Sequence, residues 1–329
     1  MVTGRITDAS DGMPVQGAYV FIAHTTIYTV SDASGNYSFT VSGRGSFEVV
    51  FSHIGYQSVF HKIDTPQDTH QYNAELETVE LDEIVIMAAK TYRQCDVNLF
   101  WRMILGEMPS KRGMEILNQE NVFFYKSGNI LKASCREPVE IINHHTGYRI
   151  RYVLQSFEHD YRSNKTEFYG MPHFEEIVSQ NSREQEIWEK KRGKVYAVSL
   201  NRFLRALYRK QILEEGFNLV TKQVFLPVPL ENILQVEPDV VQLNIEEPLM
   251  LFCYSQSITD QMIRDTYHTW LNRSEASAIP IQELLPTQIT VYSDGTYSGT
   301  LHTRVVNQYM NGLLSMVPVE YPEITKHNF

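Results

Sequence analysis

The residues best placed for chemistry in this sequence are His173 and Glu176, which stand three positions apart. A histidine nitrogen and a carboxylate can bind one zinc ion, and a catalytic zinc site needs a third protein ligand, for which His302 is the candidate. A zinc hydrolase also requires a general base and cations that stabilise an oxyanion, yet the only acids after His302 are Glu320 and Glu323. We therefore expect a surface turn at His173, and we predict no catalytic residue, cofactor or resident metal. The zinc hydrolase is kept as the alternative.

Other reactive groupings are weaker. His144 and His145 precede Gly147 in a predicted turn, without an acidic or cysteine partner at ligand spacing, so we expect them to be solvated. Three acidic pairs resemble glycosidase carboxylates only in composition, and we interpret them as solvated helix or strand ends. These pairs are Glu175-Glu176, Glu214-Glu215 and Glu246-Glu247. Motifs for a serine nucleophile, a phosphate-binding loop or a dinucleotide site are missing from the sequence.

Charge and composition exclude several classes of partner. The formal net charge of -10 disfavours nucleic acid, because binding to phosphates relies on lysine and arginine. No apolar run is long enough to predict a transmembrane span. The three cysteines are far apart, and we expect them to be small buried residues. One disulfide between two of them is possible if the chain is exported. A basic stretch at helical spacing is predicted to be the solvated face of a helix: Lys190 to Arg192, Arg202, Arg205, Arg209 and Lys210.

The elements that must position these residues begin with a β-rich region at positions 1–76. Phe47, Val49 and Phe51 repeat the period of two that buries one face of a strand. Asp32 and Gly35 are residue types that favour turns between strands. This pattern predicts an antiparallel β-sandwich.

Four segments of this region resemble, in order, the motifs of the carboxypeptidase regulatory-like (transthyretin-like) domain. They are Gly4–Asp8, Asp11–Val20, Ser31–Phe39 and Phe51–Tyr56. The resemblance implies an all-β, transthyretin-like Greek-key sandwich. Members of the family are accessory modules beside peptidases and at the front of TonB-dependent outer-membrane receptors, so the resemblance also implies export to the cell envelope.

The next segment fits that implication. Residues Leu81–Ile86 resemble a stretch that follows the domain in such receptors, although a further strand or a linker would explain them equally. Strand-like residues follow Met1 at once, and we expect that a leader peptide has been removed or truncated. The expected location is extracytoplasmic: the periplasm, the cell surface or the outer membrane.

The remaining chain is predicted to be an α+β region with mainly antiparallel strands. A short helix is expected at Phe100–Leu105, a hairpin around Gly128, and helices from Ser182 that Gly193 divides. The spacing of Leu200, Phe203, Leu204 and Leu207 is that of a buried helical stripe. A last helix is predicted at Val305–Ser315.

The predicted domains are a sandwich at 1–78, a linker at 79–98 and the α+β region at 99–329, with possible subdomains at 99–180 and 181–329. Several segments, among them Tyr169–Glu176 and Val317–Tyr321, are similar to those of an uncharacterised group of exported proteins that carry the regulatory-like domain at their front. That similarity implies a fold and a location, and no reaction.

Together these observations predict a non-catalytic envelope protein that engages another protein or a glycan. Aromatic side chains outside the core could stack on sugars or anchor a partner. Trp101, Trp188 and Trp270 are expected to pack in the core. The oligomeric state is left open.

Overall fold

The computed structural model of the chain describes residues 1–41, 45–65, 69–78, 92–106, 113–221, 227–254, 278–299, 301, 303–305, 313 and 316–321. Antiparallel β-sheets dominate this part of the chain. Three large groups of buried apolar residues correspond to the three stretches of elements described below, and a smaller fourth group joins the first two stretches.

The amino-terminal stretch forms the predicted sandwich. One sheet has the order β4-β1-β7, with β8 also paired to β1, and the other has the order β3-β2-β5-β6. The strands are β1 (Val2–Asp8), β2 (Tyr19–Ile22), β3 (Tyr28–Val30), β4 (Asn36–Phe39), β5 (Gly45–Ser52), β6 (Val59–Thr65), β7 (His70–Gln71) and β8 (Ala74–Leu76). Ile6 and Tyr37 of the first sheet pack with Val20, Val49 and Phe51 of the second.

The turn before β4 shows how the sequence fixes this fold locally. A carboxylate oxygen of Asp32 accepts hydrogen bonds from the backbone N–H groups of Ser34 and Asn36, each at 2.8 Å. Gly35 has a φ of +78°, and a Cβ there would lie 2.4 Å from the carbonyl oxygen of Ile6. Only glycine fits this turn, because a side chain would collide with the neighbouring strand.

The middle stretch is a six-stranded sheet covered by a helix. The strand order is β10-β11-β13-β12-β9, and β14 pairs along the length of β13. Phe100 and Ile104 of the helix pack with Phe124 and Phe157 of the sheet. The elements are α1 (Gln94–Leu105), β9 (Met114–Ile116), a 3-10 turn (Gln119–Asn121), β10 (Val122–Ser127), β11 (Ile130–Cys135), β12 (Val139–Asn143), β13 (Tyr148–Asp160) and β14 (Lys165–Glu176).

Where it is described, the last stretch contains two helices and two four-stranded sheets, β15-β18-β19-β22 and β16-β17-β20-β21. Phe203 and Leu207 pack against Leu251 and Val291 from the two sheets. The elements are α2 (Ser182–Ala197), α3 (Leu200–Tyr208), β15 (Phe217–Thr221), a 3-10 turn (Leu230–Asn232), β16 (Leu234–Val236), β17 (Val241–Ile245), β18 (Leu249–Tyr254), β19 (Ala278–Leu284), β20 (Thr287–Val291), β21 (Tyr297–Gly299) and β22 (Thr303–Val305).

Several sequence predictions are corrected by these elements. Helix α1 begins at Gln94, six positions before the expected start and inside the predicted linker. Helix α2 continues through Gly193, and its N-cap is Asn181, whose side chain accepts from the N–H of Arg183. Val305 ends a strand, while 306–312, the greater part of the predicted last helix, lies outside the described residues, as does Leu81–Ile86.

The predicted hairpin around Gly128 and the helical stripe are confirmed. Val122–Ser127 pairs with Ile130–Cys135 across Gly128, and Phe203, Leu204 and Leu207 are buried. The division at 78, 98 and 180 stays a proposal: each part has an apolar core of its own, although Leu313, Met316 and Val317 pack in the core of the middle part.

Candidate functional site

The sandwich buries both faces of its second sheet. Val20, Ile22, Val49 and Phe51 point into the sandwich core, while Phe21 and Val50, on the opposite face, are also fully buried. This outer face packs on strands β13 and β14 of the middle sheet. The buried apolar residues at this contact are Phe21, Ala23 and Val50 from the sandwich and Val153 and Met171 from the middle sheet.

Backbone hydrogen bonds join the two units at the same place. The N–H of His24 donates to the carbonyl of Pro172 at 2.7 Å, and the N–H of Phe174 donates to the carbonyl of Thr25 at 2.9 Å. These bonds surround His173 on strand β14. The sandwich is therefore fixed to the middle sheet by apolar burial and by directional bonds.

His173 lies inside this contact, so the predicted surface turn is wrong. The residue stands within β14 with 1% of its surface exposed, and its Nδ1 lies 3.1 Å from the hydroxyl of Tyr19. The rings of Tyr19, Phe21 and Tyr28 lie 5.3 to 5.4 Å from the imidazole. Burial lowers the pKa of His173 to about 4, with a smaller lowering by Arg151, while the backbone of Thr26 acts in the opposite direction.

Glu176 is not brought together with His173. Residues three apart on a strand point to opposite faces, and Glu176 forms an ion pair with the guanidinium of Arg192 from helix α2. The two side chains cannot share one metal ion in this strand. His302 lies outside the described residues, and within the described part of the chain no group of three metal-binding side chains converges.

Two arginines of the basic stretch, Arg192 and Arg205, form structural contacts and do not belong to a solvated face. Arg192 is 3% exposed and donates to the carbonyls of Thr146 at 2.6 Å and Gly147 at 2.9 Å. Arg205 is 9% exposed and donates to the hydroxyl of Tyr196 at 2.7 Å. Lys190, in contrast, is exposed as expected.

A short segment near the end of the described chain, residues 316–321, links the helices to the sandwich. Arg205 donates to the carbonyl of Val319 at 3.1 Å, and the N–H of Val319 donates to the carbonyl of His24 at 2.9 Å. The carboxylate of Glu320 accepts from both the N–H and the hydroxyl of Thr26. We call residues 316–321 the strap, because they contact all three stretches of the fold through these bonds and the core contact of Met316 and Val317.

At the edge of the sandwich contact lies a group of partly exposed aromatic and charged side chains. Tyr28, 49% exposed, stacks on Tyr19 with ring centroids 5.0 Å apart. The guanidinium of Arg151 lies 4.2 Å from the Tyr19 ring centroid, and its Nε is 2.8 Å from an oxygen of Glu140. We call the following residues the Tyr28 patch: Tyr19, Tyr28, Glu140, Arg149, Arg151 and Glu175.

The other half of the patch continues the same network. Nε of Arg149 lies 2.9 Å from the second oxygen of Glu140, so one carboxylate bridges two guanidinium groups. Glu175 is the cross-strand partner of Arg149, in the register that also pairs Arg151 with His173. The side chains of Arg149 and Arg151 are 40% and 29% exposed, although Nε of Arg151 is itself buried.

The remaining sequence candidates are structural or isolated. His144 stands in a turn as predicted, but its Nε2 lies 3.0 Å from a carboxylate oxygen of Glu115 on β9. Trp188 is buried as predicted and donates to the carbonyl of His144 at 3.0 Å, Trp101 is half-buried, and Trp270 is outside the described residues. Within the described residues the three cysteines form no disulfide; Cys253 is buried, Cys135 is half-buried, and Cys95 is exposed, against expectation.

Sequence reasoning missed the Tyr28 patch and the docked face of the sandwich. A signal was present in strand β2, where four apolar residues run from Tyr19 to Ile22 without alternation. Unbroken apolar runs are typical of strands that are buried on both faces. Arg149 and Arg151 carried no comparable signal, since their partners lie on other strands.

The comparison with known proteins identifies the sandwich. Residues 2–86 match the CarboxypepD_reg-like domain family, so the amino-terminal part of this chain is a CarboxypepD_reg-like domain. TonB-dependent receptor P3 of Formosa agariphila is 28% identical over 97 residues, which cover 30% of this chain and 10% of the receptor. The chain thus spans about a tenth of the length of that relative.

Two solved structures from Bacteroides have low similarity to this chain. A candidate membrane-associated protein of unknown function from Bacteroides fragilis is 16% identical, with 46% of this chain and 64% of that one covered, at a TM-score of 0.20. A candidate carbohydrate-binding protein from Bacteroides uniformis is 9% identical, with 52% and 77% covered, at a TM-score of 0.20. Scores this low do not support a common fold. Within the described residues, no helix has the length and apolar character needed to cross a membrane.

Proposed function

We propose that this protein is a non-catalytic binding protein of the cell envelope, with a protein or a glycan as its partner. The observation that carries the proposal is that His173 and Glu176, the residues best placed for chemistry in the sequence, form structural contacts. His173 is packed between aromatic rings at the sandwich contact, and Glu176 forms an ion pair with Arg192. The two side chains lie on opposite faces of one strand and contact different parts of the fold, so they cannot act together on one metal ion.

The envelope location has support from sequence. The CarboxypepD_reg-like domain occupies the first quarter of the chain, and the matched relative is a TonB-dependent receptor. In our proposal the domain is a rigid part of the recognition surface, because its outer face is buried on β13 and β14. The ligand then meets side chains from both units at the Tyr28 patch.

Cell fractionation tests the location. The gene is expressed in its native cells from its native start, and the protein is followed by antibody in cytosolic, periplasmic and membrane fractions. The proposal expects the protein in the envelope fractions. A protein that remains with a cytosolic marker enzyme would contradict it.

Metal analysis and hydrolysis assays test the absence of catalysis. The purified chain is dialysed with zinc and analysed by mass spectrometry, then assayed on casein and on a panel of polysaccharides. The proposal expects substoichiometric zinc and no turnover. Stoichiometric zinc together with hydrolysis that is lost in both His173→Ala and His302→Ala would establish the zinc hydrolase instead.

A further inference from the structure

We propose that the Tyr28 patch binds an uncharged, hydroxyl-rich saccharide. The inference rests on the proposed function and names its ligand class. Its first support is the exposed aromatic ring: Tyr28 is 49% exposed, although Tyr19 stacks on it and His173 meets it edge-on at 5.3 Å. A ring held by two neighbours keeps its orientation, so little entropy is lost when a flat apolar ligand face stacks on it.

The second support is the supply of hydrogen-bonding groups next to Tyr19, on which the Tyr28 ring stacks. Arg149 and Arg151 share the carboxylate of Glu140, which holds both planar guanidinium groups in place. A guanidinium offers several donors in a fixed plane, and carboxylates accept. Adjacent hydroxyl groups on a sugar ring both donate and accept, and therefore match such an array.

The balanced charges of the Tyr28 patch favour an uncharged ligand. The patch contains two arginines and two glutamates, Glu140 and Glu175, so its formal charge is zero. An anionic ligand would compete with Glu140 for guanidinium groups that are already neutralised, and a cationic one would meet both arginines. Uronic acid polymers and basic peptides are therefore poor partners.

The same composition argues against a protein partner at this place. The centres of protein interfaces are depleted in charged residues and enriched in apolar and aromatic ones. Here four charged side chains form one network that begins at Tyr19, the ring on which the exposed Tyr28 stacks. Desolvating all four against a protein surface would be costly, whereas sugar hydroxyls can replace the lost water.

The test uses the full chain on an array of immobilised neutral and acidic glycans, followed by calorimetry with the neutral glycan that binds best. We expect binding to neutral glycans, and a dissociation constant at least tenfold higher for Tyr28→Ala and for Arg149→Ala. Tyr28→Phe retains the ring and should bind within about threefold of the wild type. Tyr92→Ala is the matched control, because Tyr92 is also exposed, at 43%, and lies outside the patch.

Four outcomes would overturn the inference: no neutral glycan binds, only acidic glycans bind, Tyr28→Ala binds like the wild type, or Tyr92→Ala loses binding equally. If Tyr28→Ala does not fold, judged by circular dichroism, Arg149→Ala decides alone, since Arg149 is a half-exposed surface residue. An envelope protein that binds a protein ligand but no glycan would end this inference and leave the proposed function standing. A cytosolic protein would end the proposed function whatever the array shows.

Discussion

The hydroxyl of Tyr19 lies 3.1 Å from Nδ1 of His173, although 154 positions separate the two residues in the sequence. Tyr19 belongs to strand β2 of the sandwich, and His173 belongs to strand β14 of the middle sheet. The pair joins the CarboxypepD_reg-like domain to the α+β region. It also places a titratable group where its protonation is unfavourable.

His173 should make the stability of the protein depend on pH. Its pKa is about 4 in the folded state and 6.5 in an unperturbed histidine, so between these values the unfolded chain binds a proton that the folded chain does not. Stability is therefore lost as pH falls from about 6.5 toward 4, by about 3 kcal/mol at most. Urea unfolding at pH 7.5 and pH 4.5 measures the loss, which should shrink in His173→Gln. His144→Gln, at an exposed position, is the control and should lose as much stability as the wild type over this pH range. If His173→Gln also loses as much as the wild type, His173 is not the source of the pH dependence.

Two glycines with similar backbone angles should respond differently to alanine. Gly147 has a φ of +67°, and a Cβ there would lie 2.3 Å from the ring of Trp188, whereas Gly128 has a φ of +61° and open space around it. We expect Gly128→Ala to cost about 1 kcal/mol, from backbone strain alone. Gly147→Ala should cost about 3 kcal/mol, because overpacking adds to that strain. Chemical unfolding of both variants measures the difference, and equal losses would show that Trp188 does not pack on Gly147.

Arg192 should contribute far more to stability than its neighbours on helix α2. In Arg192→Met the buried carbonyl of Thr146 loses its donor, the carbonyl of Gly147 keeps only the N–H of Ile177, and the contact with the Tyr148 ring is lost. We expect a loss of about 3 kcal/mol in unfolding free energy. Lys194→Met, at an exposed position on the same helix, should change it by less than about 0.5 kcal/mol. Equal effects of the two substitutions would restore the solvated-face interpretation.

Arg205 should hold the strap on the sandwich. Its guanidinium donates to the carbonyls of Val319 and Asp294, and the N–H of Val319 in turn bonds to His24. In Arg205→Met we expect at least tenfold faster hydrogen exchange at the Val319 amide, because local opening of the strap becomes easier. Lys190→Met serves as the control and should leave that exchange rate unchanged. Unchanged exchange in Arg205→Met would mean that the strap is held by other contacts.

The amino-terminal fold could be read from the sequence because its determinants are local. Phe47, Val49 and Phe51 alternate, and Asp32 and Gly35 form the turn that their residue types favour. The hairpin at Gly128 followed from the same chemistry of turns. Local propensity and side-chain period point to the same structure in these segments.

The site could not be read in this way, because its contacts join residues that are distant in the sequence. His173 looked like part of a surface turn, and only the packing of the sandwich on β14 explains its burial. Arg192 and Arg205 had the spacing of a solvated helix face, yet their partners are carbonyls near Gly147 and Val319. A charged side chain at helical spacing does not reveal which distant carbonyl it reaches. The unbroken apolar run of β2 was the one accessible sign of a second buried face.

Hydrogen–deuterium exchange at the backbone amides of His24 and Phe174 tests most directly whether the sandwich is fixed to the α+β region. Both amides donate across the contact, to Pro172 and Thr25. We predict that they exchange as slowly as amides in the core strands of the sandwich. Exchange at the rate of unprotected amides, with the core strands still protected, would show that the two units are not joined there and would remove the basis for a recognition surface at Tyr28.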